Sequence, residues 1–277
     1  MAVVEPFFLT TPGGPVFAVL HHPATGAAPR GHVLVVPPFN EEMNRCRSMV
    51  TLQAREFAKQ GFGTLLLDLH GTGDSAGEHG DARWAIWLDN LKAALAWLHT
   101  KPGGCVALLG IRLGAILAAE VMATAAGAPQ TLVLWQPVVD GKIHMNQFLR
   151  VRMAAQLDRP NLPKETTASM RKQLDAGETI EVAGYELHPE LVRAIDAANL
   201  VKQRPAARQV LWLENVSADG GELPAPAVTA AKAWTDAGIT SEMQGYVGPP
   251  FWQVHERVLT PSIVAITTPW LVSRVAA

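Results

Sequence analysis

Short, uniformly apolar runs alternate with longer stretches of helical period along most of the chain. GHVLVVPPF, GTLLLDL, CVALLGI, TLVLWQPVV and RQVLWLENV carry apolar side chains at nearly every position. That pattern predicts strands buried on both faces of a sheet. Between them, EEMNRCRSMVTLQAREFAKQG, ARWAIWLDNLKAALAWLH, LGAILAAEVMATAAG and APAVTAAKAWTDAG place apolar residues at helical spacing and end near glycines or loops. EPFFLTT and PVFAVLHHP flank Pro-Gly-Gly-Pro, which predicts an opening hairpin. ITSEMQGYV predicts a last strand, and a final helix is expected from about Glu256. From Lys142 to about Arg204 the alternation stops. That segment offers helix-like pieces rich in Met, Leu and Arg (MNQFLRVRMAAQL, ASMRKQLDAG, HPELVRAIDAANL) and no convincing strand. The expected class is α/β, with an eight-stranded, mostly parallel sheet flanked by helices and a first pair that is antiparallel. Residues 1–277 are expected to form one domain, with 142–204 as a helical cap inserted after the sixth strand.

Composition narrows the function. Hydrophobic residues are 48% of the chain and charged residues 17%, enough apolar surface for a full core. The formal net charge is -2 and no block of like charge occurs, which argues against a general grip on nucleic acid or anionic membrane. Cys46 and Cys105 lie far apart and form no Cys-x-x-Cys, so neither a disulfide frame nor a zinc site is expected. This cysteine usage suits a reducing cytoplasm. MAVVEPFFLTTPGG lacks a basic segment followed by a long apolar run, so no signal peptide is expected. No apolar stretch approaches the ~20 residues of a membrane-spanning helix.

The candidate chemistry centres on VALLGIRLGAILAAE, a buried strand, a Gly-x-x-x-Gly turn and a helix. Such a turn usually presents a nucleophile at its middle residue, with flanking glycines because a side chain there would strike the neighbouring strand or helix. Here the middle residue is Arg112, which stays protonated and has no lone pair to offer a carbonyl carbon. A second match, Gly73-Asp74-Ser75-Ala76-Gly77, lies several residues past its strand and reads as a structural loop. A nucleophilic Ser75 with His70 or His79 as base stays open. His255 sits where a triad histidine would follow the last strand, and Glu214 or Asp219 where an acid would follow the seventh. Asp140, after the sixth strand, suits a turn toward the cap. An oxyanion hole would combine the Leu113 N–H with Phe39 or Asn40, since Pro37 and Pro38 carry none. Glu41 and Glu42 open the next helix, where carboxylates suit the macrodipole. They should also face Arg112, whose guanidinium would be costly if buried unpaired. Arg112 is therefore expected to pair with Glu41 or Glu42, or to await an anionic ligand. In the cap, Met145, Phe148, Leu149, Val151 and Met153 either line an apolar pocket or pack the cap onto the body.

Order and cap position together resemble the α/β-hydrolase superfamily. Several stretches are more specific: PPFNEEMNRCRSMVTLQARE, DLHGTGDSAGEHGDARWAIW, LLGIRLGAILA, LVLWQPVVDGK, QFLRVRMAAQL, EVAGYELHPEL and GPPFWQVHE. Together they resemble the exosortase A system-associated hydrolase 2 family. The resemblance implies a Gram-negative α/β-hydrolase whose gene accompanies exosortase A and exopolysaccharide synthesis. It also implies an elbow of the form Gly-x-Arg-x-Gly and a looser histidine position, with Gln where this chain has His255.

Three functions stay open on the sequence. The first is an ester or acyl hydrolase using His255-activated water or Ser75. The second is a catalytically silent binder of a small anionic or acylated ligand. The third is a scaffold. No cofactor, metal or nucleic acid is expected in any of them.

Overall fold

A computed structural model describes residues 3–24, 29–156 and 165–275. Eight strands form one sheet: β1 (Val4–Thr11), β2 (Gly14–His21), β3 (Gly31–Val36), β4 (Phe62–Leu67), β5 (Cys105–Ile111), β6 (Thr131–Trp135), β9 (Gln209–Asn215) and β10 (Thr240–Tyr246). Their spatial order is β1-β2-β4-β3-β5-β6-β9-β10. β1–β2 and β2–β4 pair antiparallel, and every later pair is parallel. The all-apolar runs occupy the middle: every residue of β3 and β6 is buried. The edges alternate instead, as strands with one wet face should. Adjacent residues of a central strand serve opposite sides. Val33 and Val35 pack with α1 (Glu41–Lys59) and α8 (Pro261–Arg274). Leu34 and Val36 pack with α2 (Trp84–His99) and α3 (Gly114–Thr124). The period of two thus produces a three-layer sandwich.

Between β6 and β9 lie α4 (Gly141–Gln156), α5 (Thr167–Asp175), α6 (Pro189–Ala197) and a two-stranded hairpin, β7 (Ile180–Val182) with β8 (Tyr185–Leu187). The hairpin corrects the expectation of a strand-free segment. Ala183 and Gly184 both take positive φ, 53° and 84°, as a tight hairpin turn requires. Three-residue strands are too short to show a period in sequence. The last helix also departs from expectation: it starts at Pro261, not near Glu256. Proline suits the first helical position and disfavours helical backbone at the residue before it, and Thr260 is indeed non-helical (φ -125°, ψ 75°).

The cap segment is tied to the body at named points. The Tyr185 hydroxyl donates to Glu41 Oε1 at 2.8 Å, and Arg83 pairs with Glu190 at 3.0 Å. His79 Nδ1 lies 2.7 Å from the Glu186 carbonyl. Among the described residues no helix is long and apolar enough to cross a membrane. None of their His, Cys, Asp and Glu side chains form a group of three or more able to hold a metal ion.

Candidate functional site

The turn between β5 and α3 is a tight elbow. Arg112 takes φ 54°, left-handed backbone that a non-glycine residue adopts at a cost. Its N–H donates to the Trp135 carbonyl at 3.1 Å, and its own carbonyl accepts from Ala115 and Val138. The flanking glycines are sterically required. A Cβ on Gly110 would lie 2.7 Å from the Ala115 Cα, and one on Gly114 would strike the carbonyl oxygens of Val36 and Pro37. Asn40, Gln136 and Ala183 are the other described non-glycine residues at positive φ. Each of the four lines one of three cavities that share wall residues, and strain of this kind concentrates at functional sites.

Arg112 is paired as one of the two sequence alternatives expected. Its Nε–H donates to Glu42 Oε1 at 3.1 Å, and Nη1 donates to the Gln136 carbonyl at 3.1 Å. The Trp252 ring centroid is 5.4 Å from its Cζ, within reach of a cation–π contact. Nη2 makes no hydrogen bond among the described residues, yet it is not closed off from solvent. Glu41 turns to Tyr185 instead. Burial pushes the Glu42 carboxyl up, against the pull of Arg112, and its Oε2 is buried without a partner.

Arg112 opens on a cavity of about 550 Å³. Phe39, Phe148, Val151 and Trp252 supply apolar walls. Glu41, Glu42, Arg45 and Arg112 supply two charges of each sign, and His144, Gln147 and His255 complete the polar side. That volume lies in the range of ~300–1,000 Å³ usual for small-molecule sites. A second cavity of about 220 Å³ lies on the other side of the same arginine. Between the Pro37–Asn40 loop and Leu113, where an oxyanion hole would form, the void is only about 10 Å³. That holds one water at most.

The cap predictions divide. Phe148 and Val151 line the large cavity, whereas Met145 and Leu149 are fully buried and Met153 packs against the core. Phe39 is an aromatic hub, edge-on to Trp87, His79, His144 and Phe148. Asn40 holds its strained backbone (φ 51°) through its side chain, whose Oδ1 position lies 2.7 Å from His79 Nε2. His79 keeps its Nδ1–H for the Glu186 carbonyl, and burial holds it below the ordinary histidine range. Nε2 then accepts, so the Asn40 amide group must turn its nitrogen toward it.

Ser75 is structural. Its hydroxyl donates to the Asp68 carbonyl at 2.5 Å and accepts the Phe17 N–H at 2.8 Å. No hydrogen bond joins it to His70 or His79 among the described residues. Asp68 anchors the same loop, taking both carboxylate oxygens to Arg47 at 2.9 Å and accepting the Asp74 N–H. Ser75→Ala is expected to lower stability by about 1–3 kcal/mol, because the Phe17 N–H loses its acceptor. Urea unfolding checks this.

The late triad positions do not assemble. His255 is exposed, with Nδ1 3.5 Å from Arg45 Nη2, and Arg45 also donates to the Gln253 carbonyl at 2.8 Å. Asp219 is exposed and makes no hydrogen bond to His255. Asp140 does turn the chain: its Oδ1 accepts the Ile143 N–H and its Oδ2 accepts from Asn199. Glu214 is the buried acid of this region, 2% exposed, with Oε1 accepting the Trp212 indole N–H at 2.7 Å. Burial pushes its carboxyl up to about 7, opposed by that hydrogen bond and by Arg112. An acid raised on folding favours the folded state below its unfolded value and loses that contribution as pH rises through the folded one. Stability of the wild type should therefore fall between about pH 4.5 and 7, and Glu214→Gln should remove that part of the slope. At pH 8 the variant should be more stable by up to about 3 kcal/mol, read from urea midpoints at several pH values.

Sequence reasoning missed His144. It is 7% exposed, its Nε2 is unpartnered, and burial with the Arg112 field lowers it to about 3, so it stays neutral. Its signal was present as His144, Gln147, Phe148 and Val151 on one helical face. Trp252, Gln136 and Tyr185 were also missed, and each reaches the site only through tertiary packing.

A mostly parallel eight-stranded sheet, a glycine-flanked elbow after β5 and a cap segment before β9 define an α/β-hydrolase fold. The chain belongs to the Hydrolase_4 family, described as serine aminopeptidase, S33, whose model matches residues 27–219. Solved structures agree on the fold. Est1E from Butyrivibrio proteoclasticus with ferulic acid bound has a TM-score of 0.67 at 14% identity, over 97% of each chain. DcsB in complex with its substrate analogue has a TM-score of 0.65 at 15% identity, over 99% of this chain and 100% of that one. A thermostable carboxyl esterase from Bacillus coagulans in complex with glycerol has 0.62 at 14% identity, over 99% and 98%. No curated protein matches the sequence.

Proposed function

We propose that this protein is a catalytically silent α/β-hydrolase-fold binder, holding a small acylated or carboxylate-bearing ligand against Arg112. The observation that carries the reading is the free Nη2 of an arginine at the nucleophile position, in the wall of a cavity of about 550 Å³. Guanidinium N–H groups suit a carboxylate or an acyl carbonyl and cannot attack either. Ser75 has both its donor and an acceptor site engaged elsewhere, which speaks against displaced serine chemistry. Two stretches of the exosortase A system-associated pattern, PPFNEEMNRCRSM and GPPFWQVHE, contribute Phe39, Glu41, Glu42, Arg45, Trp252 and His255 to that cavity. They support placing the protein in that family, with a cytoplasmic role in an exopolysaccharide system. A second reading, ester hydrolysis by His255-activated water, draws on His255 lining the same cavity.

The test is a fluorophosphonate probe beside p-nitrophenyl esters. The expected result is no labelling of wild type or of Arg112→Ser, because no histidine base is held at the elbow, and no turnover above buffer. Decanoate should raise the melting temperature of the wild type and leave that of Arg112→Ala unchanged. Labelling abolished by Ser75→Ala, or turnover abolished by His255→Ala, would overturn the silent reading.

A further inference from the structure

One guanidinium serves two buried carboxyls. Arg112 borders both cavities, while Glu42 lines the larger and Glu214 the smaller. Glu42 takes a direct hydrogen bond from Arg112 Nε, whereas none joins Glu214 to Arg112 among the described residues. The spacing of Arg112 and Glu214 is fixed from both ends. The Gln136 carbonyl accepts from Arg112 Nη1, and the Gln136 side chain accepts the N–H of Asn215, the chain neighbour of Glu214. Glu214 is itself held by the Trp212 indole on Oε1, and its Oε2 has no hydrogen-bond partner among the described residues. Arg112 therefore acts on Glu214 through its field alone. A charge that lands on Arg112 changes that field.

We infer that this site takes an anionic ligand together with a proton: a carboxylate seated on Arg112 is bound with Glu214 protonated, and alkaline pH releases it. The inference rests on the ligand reading given above and adds the regulation of that site. Glu42 already balances the guanidinium charge. A ligand carboxylate on Nη2 thus brings an uncompensated negative charge into a region of low dielectric. The groups around Glu214 leave it as the proton's carrier. His144, on α4, is lowered to about 3 by burial and Arg112, so it stays neutral. Asp140 has both carboxylate oxygens accepting hydrogen bonds. Burial keeps the Tyr246 hydroxyl of β10 and the Cys46 thiol of α1 protonated. Arg45, on α1, lines the larger cavity and donates to the Gln253 carbonyl. No charged side chain of α7 borders the smaller cavity among the described residues. Burial pushes Glu214 up to about 7, against the Trp212 hydrogen bond and Arg112, so it changes state near neutral pH. A negative charge on Arg112 weakens the cationic pull on Glu214 and raises it further. Above about pH 7 the bound protein then holds more protons than the free protein, so affinity falls as pH rises.

Calorimetric titration of the full chain with octanoate and with octanamide, its neutral counterpart, tests this. Octanoate stays ionised from about pH 6 to pH 9. It should bind about eightfold weaker at pH 9 than at pH 6, as a further rise of about one pH unit in Glu214 gives. Near pH 7.5 its binding heat should differ between phosphate and Tris buffers by the ionisation heat of about half a proton. Octanamide should bind equally at both pH values and take up no proton. Glu214→Gln keeps an acceptor for the Trp212 indole and should bind octanoate with one affinity across the range. Proton uptake that persists in Glu214→Gln, or that is lost only in His255→Ala, overturns the assignment to Glu214. Equal pH dependence for octanamide overturns the coupling, because no ligand charge then drives it. If octanoate binds in an Arg112-dependent way with no proton uptake, the coupling is overturned while the ligand reading stands. If neither octanoate nor decanoate binds, the ligand reading falls first and takes the inference with it.

Discussion

Arg112→Ala is expected to lower the stability of the fold by about 3 kcal/mol at pH 8, a fall of roughly 6–12 °C in melting temperature for a chain near this size. The loss comes from what stays behind. The Arg112 and Glu42 side chains are 13% and 17% exposed, and Glu42 Oε2 already lacks a partner. Removing the guanidinium takes the only hydrogen-bond donor to Oε1 among the described residues and strands a buried carboxylate. The pH dependence has a definite sign. Burial already raises the Glu42 carboxyl and Arg112 opposes that rise, so the variant's carboxyl moves further up. A carboxyl raised in the folded state costs nothing while both states are protonated, and its cost grows as pH rises above the unfolded value. The deficit should therefore be largest at pH 8 and shrink toward pH 5. Arg112→Ala with Glu42→Gln should recover most of it, because no charge is then left buried. Urea unfolding at the two pH values reads both effects, and a deficit independent of pH would show that the pair does not hold the elbow.

Gly114→Ala is expected to cost about 3 kcal/mol or more, beyond the middle of the usual range for overpacking. The sign is informative. Gly to Ala within a helix ordinarily gains up to about 1 kcal/mol. Here the new methyl would strike the carbonyl oxygens of Val36 and Pro37, which are backbone at the end of a fully buried central strand and cannot rotate away. Either β3 or the start of α3 must shift, and Arg112 with it. Loss of decanoate-dependent stabilisation should accompany the drop in urea midpoint. A stability equal to wild type would mean that the elbow is not held this tightly against β3.

Much of the fold was legible because its central strands are apolar at every position and its helices are long and periodic. Neither feature depends on knowing the neighbours. The sheet edges and the Pro-Gly turn were equally local. The β7–β8 hairpin was not, since six residues around Ala183 and Gly184 carry too little pattern, and their stability comes from packing under α4 and against the body. The start of α8 is set by Pro261 at the first helical position after a non-helical Thr260, which apolar spacing alone does not mark.

At the site the division is similar. The elbow, the arginine at its middle and the pairing of Arg112 with an adjacent glutamate followed from residue types and from the burial cost of a lone charge. The choice of Glu42 over Glu41 did not, because it depends on Tyr185 arriving from the cap to take Glu41. Ser75 was demoted by its place in the chain, but only the structure supplied Asp68 and Phe17 as the groups that occupy it.

The sequence by itself determined the layered α/β architecture, the glycine-bounded elbow and the arginine at its centre, since each is a matter of local period, turn sterics or the chemistry of one side chain. Only the tertiary structure decided that the arginine borders two cavities, with His144 and Glu214 buried beside it. Those groups come from strands and a helix far apart in the chain. Their spacing and altered protonation arise from burial, which no stretch of sequence specifies alone.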